Sequence, residues 1–198
     1  MAEPPLATSP LGGLFTRVGN GALQLSERPF LGKLALRGDA GDPGFVAAAS
    51  AALGCALPRA PGAGVAHDRR AILCLAPDEW LVVSEAGRGD LVGPLRQALG
   101  GRSIALVDVS CATATVSVGG PDAAALLRKV CSIDLVRQTA RACWQTRLGA
   151  YAVLIHRRDA PVTFDLHVAR SYARSFWLWL SDAAAEFEIR APINGSGG

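Results

Sequence analysis

Few residues in this 198-residue chain are of types that do chemistry, and their spacing decides what each could do. Asp165 and His167 stand two apart in TFDLHVA, so in a strand they project from one face as a carboxylate and imidazole able to move a proton. No third partner completes a relay in the sequence, and a cross-strand hydrogen bond is the simpler reading of the pair. Ser110 and Cys111 are two nucleophile types side by side, but no G-x-S-x-G elbow surrounds them and no activating base is evident. His67 falls in a loop region and His156 at the end of a strand. Gly38, Gly41 and Gly44, and likewise Gly62 and Gly64, lack the spacing of a phosphate-binding loop and read as turns. The cysteines at 55, 74, 111, 131 and 143 include no C-x-x-C pair, so neither a zinc site nor a disulfide framework is indicated. From the residues, then, no catalytic, cofactor-binding or metal site is expected.

Twenty Lys and Arg against seventeen Asp and Glu give a net charge of only +3, and lysine occurs only at Lys33 and Lys129. No basic stripe interleaved with aromatics exists, which excludes a nucleic-acid partner. The first ten residues hold one acid and three prolines, without a basic region followed by an apolar run. No stretch reaches eighteen uninterrupted apolar residues, so no membrane partner is expected. An odd number of cysteines set in apolar segments suits a reducing cytoplasm.

Half the residues are hydrophobic, enough for a proper core in one domain. Residues 104–109 and 113–118 read as a strand pair, the second alternating Ala114, Val116 and Val118 with Thr113, Thr115 and Ser117. Gly119 and Gly120 break it, and Pro121 and Asp122 open a helix over 121–132 with Ala123, Leu126, Leu127 and Val130 as its apolar stripe. Upstream, a strand at 34–36 leads to a helix capped by Asp42, with Pro43 first, Phe45, Ala48, Ala49 and Ala52 buried, and Gly54 as its stop. Strands at 72–75 and 80–83 flank a turn at Pro77 and Asp78 and precede a helix over 90–99. Strands at 151–156 and 163–168, a turn over 158–161 and a helix over 171–185 repeat that order about 80 residues later. The fold class is therefore α+β, antiparallel sheets with packed helices and pseudo-repeated strand-turn-strand-helix units. Residues 1–29, rich in Gly and Pro, read as an extended or partner-wrapped segment, 30–190 as one domain and 191–198 as a flexible tail.

The last helix speaks to partners. Ala173, Phe176, Trp177, Leu180 and Ala184 form its core stripe, but Tyr172 and Trp179 fall on another face. Either the helix is sandwiched within its own domain, or Tyr172 and Trp179, together with Trp80, anchor another subunit, because aromatics are enriched at interface cores.

Asp108-x-Ser110, a second strand, then GPDA at 120–123 opening a helix that ends before Asp134, resemble the folate-binding aminomethyltransferase superfamily, the fold of the glycine-cleavage T-protein. Residues 36–39 (LRGD), 77–81 (PDEWL), 145–148 (QTRL) and above all 163–177 (TFDLHVARSYARSFW) are similar to the gamma subunits of heterotetrameric sarcosine oxidases. This resemblance runs over roughly residues 32–187 and implies an aminomethyltransferase-like domain. Folate-dependent members carry Gly-Gly and paired aspartates after the counterpart of Leu148, whereas GAYAV at 149–153 has no carboxylate. Iron–sulfur maintenance members carry Lys-Gly-Cys-x-x-Gly-Gln nearby, and RACWQTR at 141–147 keeps only the cysteine. The resemblance thus implies a fold kept without its active site, a non-catalytic gamma subunit serving assembly and stability. It further implies a complex that oxidises sarcosine to glycine, with hydrogen peroxide and methylenetetrahydrofolate as products. FAD, FMN, NAD, tetrahydrofolate and zinc would belong to its alpha, beta and delta subunits, alpha being the direct contact of this chain. Two other readings stay open: a related complex acting on another N-methyl or secondary amino acid, and a standalone folate-binding protein or aminomethyltransferase.

Overall fold

The computed structural model describes residues 8–87, 92–135, 139–159 and 162–189. The expected tail at 191–198, the expected helix start at Asp90 and Leu91, and Ala160 and Pro161 of the expected turn lie outside the described residues. In chain order the elements are β1 (Phe15–Val18), β2 (Leu23–Glu27), β3 (Gly32–Arg37), α1 (Pro43–Leu53), β4 (Gly64–His67), β5 (Arg70–Ala76), β6 (Glu79–Ser84), α2 (Val92–Leu99) and β7 (Ala105–Asp108). There follow β8 (Thr113–Gly119), α3 (Ala123–Val130), β9 (Cys143–Leu148), β10 (Tyr151–Arg157), β11 (Thr163–Ala169) and α4 (Ala173–Ile189).

Two antiparallel sheets form, one in the order β4-β5-β6-β3-β7 and one in the order β1-β2-β8-β11-β10-β9. Their topologies match: strand, helix, three strands, helix, with the first strand inserted beside the last, as β3 beside β6 and β8 beside β11. The next place in the five-stranded sheet is filled by β7, which leads directly into β8 of the other sheet. In the six-stranded sheet it is filled by β2, which leads directly into β3. The halves therefore exchange their chains twice, at residues 28–31 and 109–112. Helices cover the outer faces, and the inner faces meet, making four layers.

Local chemistry explains the elements that the sequence anticipates. Asp42 caps α1 by accepting the Gly44 N–H at 2.8 Å, Pro43 occupies the first turn, and Gly54 ends the helix at φ 76°. Phe45, Ala49 and Leu53 bury one stripe of α1 beside Trp80, Leu34 and Leu36. Pro94 is the third residue of α2, inside the first turn, where it removes no internal bond.

Three expectations are corrected. Residues 104–109 and 113–118 do not pair: β7 lies against β3, whereas β8 lies between β2 and β11. Asp108 accepts the Ser110 N–H at 2.9 Å, and the Val109 N–H goes to the Lys33 carbonyl at 2.9 Å, so the chain turns from one sheet into the other instead of closing a hairpin. Within 1–29, residues 15–27 are not extended over a partner; β1 and β2 form a hairpin on the six-stranded sheet, and Leu11, Val18, Leu23 and Leu25 enter its core. Finally, α3 runs over 123–130 rather than 121–132, because the Asp122 N–H is taken by the Ala22 carbonyl and Cys131 is already extended.

Candidate functional site

Alternation along the strands sends two sets of residues to opposite faces of the six-stranded sheet. Ala114, Val116, Val118, Phe164, Leu166 and Val168 meet α3 and α4 in the larger core. Thr115, Ser117, Asp165, His167 and His156 take the other face and are also buried. Opposite them the five-stranded sheet offers Lys33, Leu81 and Val83. The layer between the sheets is apolar at one end, where Leu73, Leu81, Cys143 and Leu154 meet, and charged at the other.

Arg28 is the hub of the charged end. Its guanidinium pairs with Asp165 from β11 and with Glu85 just after β6, linking the two halves. Arg158 stands 3.6 Å from Glu85 and 4.0 Å from Asp165. Lys33 donates its ammonium to the Thr113 carbonyl at 2.8 Å and the Thr113 hydroxyl at 2.9 Å, and burial pulls its pKa down to about 8.

Asp165 and His167 share a face but do not bond to one another. His167 Nδ1 lies 2.9 Å from the Thr115 hydroxyl, a cross-strand contact, while Asp165 turns to Arg28. Desolvation, then the nearby Lys33 charge, holds the His167 pKa well below its usual value. Desolvation likewise lowers that of His156 to about 4. Imidazoles held so low are poor proton acceptors at neutral pH. His167 Nε2 and Asp165 Oδ1 have no hydrogen-bond partner among the described residues.

The other sequence candidates go elsewhere. Ser110 Oγ accepts the Lys33 backbone N–H at 2.9 Å and so pins a crossing, and the neighbouring Cys111 is exposed. His67 sits beside Asp68 at 3.4 Å and against Gly54 at the end of α1. Gly38 is a close-packing position, since a Cβ there would come within 2.3 Å of the Phe45 ring. Trp80, expected at an interface, is corrected: it is fully buried under α1, and its indole donates to the Pro58 carbonyl at 2.6 Å. Trp179 is half-buried against Tyr151 and Phe176, whereas Tyr172 is 56% exposed.

The fit to a pterin or a metal can be tested on these side chains. Gly149 and Ala150 form a two-residue hairpin turn between β9 and β10, with Gly149 at φ 56°. A Cβ on Gly149 would meet the Trp179 ring at 2.8 Å, and Tyr151 packs on Phe176 and Trp179. The place that holds aspartates in the folate-dependent resemblance is thus an aromatic-covered turn that does not fit a pterin. Among the described residues no group of three His, Cys, Asp or Glu could hold a metal ion.

The sequence model described as "Sarcosine oxidase, gamma subunit family" matches residues 37–186. A sarcosine oxidase subunit gamma from Arthrobacter sp. is 40% identical over 178 residues, covering 84% of this chain and 82% of that one. The chain belongs to the sarcosine oxidase gamma subunit family. A chain of the heterotetrameric sarcosine oxidase from Corynebacterium sp. U-96 superposes with a TM-score of 0.83 at 30% identity, over 93% of this chain and 97% of that one. The glycine cleavage aminomethyltransferase T from Bartonella henselae superposes at 0.64 with 16% identity, over 89% of this chain and 57% of the other, which shows a shared fold. Among the described residues no helix is long and apolar enough to cross a membrane.

Arg28, Lys33, Glu85 and Thr115 join the site only in the folded chain. The available signal was Lys33 itself, a lysine inside the apolar strand run GKLALR of a chain that otherwise uses arginine almost throughout.

Proposed function

We propose that this chain is the gamma subunit of a heterotetrameric sarcosine oxidase and that it serves the complex by packing and assembly. In this reading FAD, FMN, NAD, tetrahydrofolate and zinc are held by the alpha, beta and delta subunits, in a reducing cytoplasm where the five cysteines stay free. The observation that carries the reading is the whole-length similarity to a chain of such a heterotetramer. The side chains support it: the acid and imidazoles of the inner layer are engaged or held neutral, and the hairpin turn at Gly149 is covered by its own aromatics. Tyr172, exposed at the start of α4 and backed by Tyr151, is the anchor for alpha, and Trp179 supports it from behind.

The test is co-expression of the four subunits with and without this chain, reading assembly by size-exclusion chromatography and turnover of sarcosine. Omission should abolish or destabilise the complex. In the assembled complex His167→Ala should leave kcat within about threefold, and a thousandfold loss would make this layer catalytic. Tyr172→Ala should weaken co-purification with alpha; unchanged association would remove Tyr172 from the interface.

A further inference from the structure

The two crossings between the halves, residues 28–31 and 109–112, run side by side, and a cleft of about 610 Å³ opens beside them. We propose that this cleft binds a small organic carboxylate, with the anionic end docked on Lys33 and the body against Pro29, Phe30 and Leu31.

Lys33 lines the cleft, yet is only 3% exposed. An ammonium has three protons to donate, and Thr113 accepts two. No carboxylate among the described residues forms an ion pair with it; Asp165, the acid that acts on it through space, is held by Arg28. A buried cation that must share its nearest acid with Arg28 is incompletely compensated, and a site that supplies a further anion from solution explains its retention. The cleft is otherwise positive as well. Arg170 gives a hydrogen bond to the Thr8 carbonyl at 3.0 Å. Glu27, the one acid among the described lining residues, is spent on the Leu11 and Gly13 N–H groups and the Ser9 hydroxyl. The lip is apolar: Phe30 is 62% exposed and is held at φ 58°, an uncommon conformation for a residue with a side chain. A buried point charge, the Thr113 hydroxyl beside it and an apolar lip describe a pocket for a small amphipathic anion.

Benzoate and its neutral isostere benzamide are titrated into the full-length chain and into the assembled complex. With only two lysines in the sequence, selective 13Cε-lysine labelling gives Lys33 its own NMR signal. Saturable millimolar benzoate binding that shifts this signal and raises its titration midpoint, with no response to benzamide, is the expected result. Lys33→Met should weaken benzoate by at least about tenfold. Phe30→Gly, which suits the positive φ and so folds, should weaken benzoate severalfold while leaving acetate unchanged. No saturation, equal binding of benzamide, or benzoate binding that survives Lys33→Met would overturn the proposal. Binding by the chain alone that vanishes in the complex would overturn it too, giving the docked carboxylate to a partner subunit's side chain.

Discussion

The two faces of the six-stranded sheet are buried to the same degree and built oppositely. On the helix side Val116, Val118 and Leu166 are fully buried among apolar neighbours; on the sheet side Asp165 and His167, at 1% and 4% exposure, come from the same strands. Burial therefore does not distinguish them. What differs is the partner: helices of the same half on one side, the other half of a repeated topology on the other. The inner layer resembles an interface between two domains, where polar pairs fix register while apolar contacts supply cohesion.

The largest expected effect lies in an apolar layer. Trp80→Ala should cost about 3–5 kcal/mol in urea unfolding, because the cavity under α1 cannot refill and the Pro58 carbonyl loses its donor. In the polar layer, Asp165→Asn should cost about 3 kcal/mol by leaving Arg28 without its buried partner. Combining Arg28→Met with Asp165→Leu should recover most of that loss. If the double variant is no better than the single, the layer needs its charges and the contrast with the helix side becomes sharper.

Acid should act on one face only. The folded-state pKa of His156 is about 4, below its usual 6.5, because burial disfavours the imidazolium. Between those values the unfolded chain takes up a proton that the folded chain refuses, so stability present at neutral pH falls as pH drops from 6.5 to 4. This group's share of the loss should be roughly 2–3 kcal/mol, and His156→Gln should remove that share in unfolding curves taken across the window, leaving the loss that His167, held low by the same burial, adds. Smallest of all, Tyr172→Ala in the isolated chain should shift stability by less than about 1 kcal/mol, since the side chain is more than half exposed. A larger drop would place Tyr172 in the core rather than at a docking face.

What the sequence disclosed follows the range of the forces involved. The ends of α1 are set by Asp42, Pro43 and Gly54 acting within a few residues, and the β5–β6 turn by Pro77 and Asp78, so both were legible. The place of β2 was not, because its partner β8 lies about ninety residues on and the segment's glycines mask the alternation of Leu23 and Leu25. Thr115 and Ser117 alternate identically whether the polar face meets water or a second sheet, so the buried layer left no periodic trace. The burial of Trp80 is hidden for a related reason: an indole signals a large contact area without saying whether helix α1 or another chain supplies it.

The exchange of chains between the halves also sets an order of events on the ribosome. Strands β3 to β7 are contiguous in sequence, so the five-stranded sheet has all its members once Asp108 has emerged. The β1–β2 hairpin, made first, has to wait for β8, and β8 in turn for β11 at its other edge. During that interval Leu23 and Leu25 lack their core. A nascent chain stalled near residue 112 would therefore hold one finished sheet and one unpaired hairpin, the state in which a chaperone has most to protect.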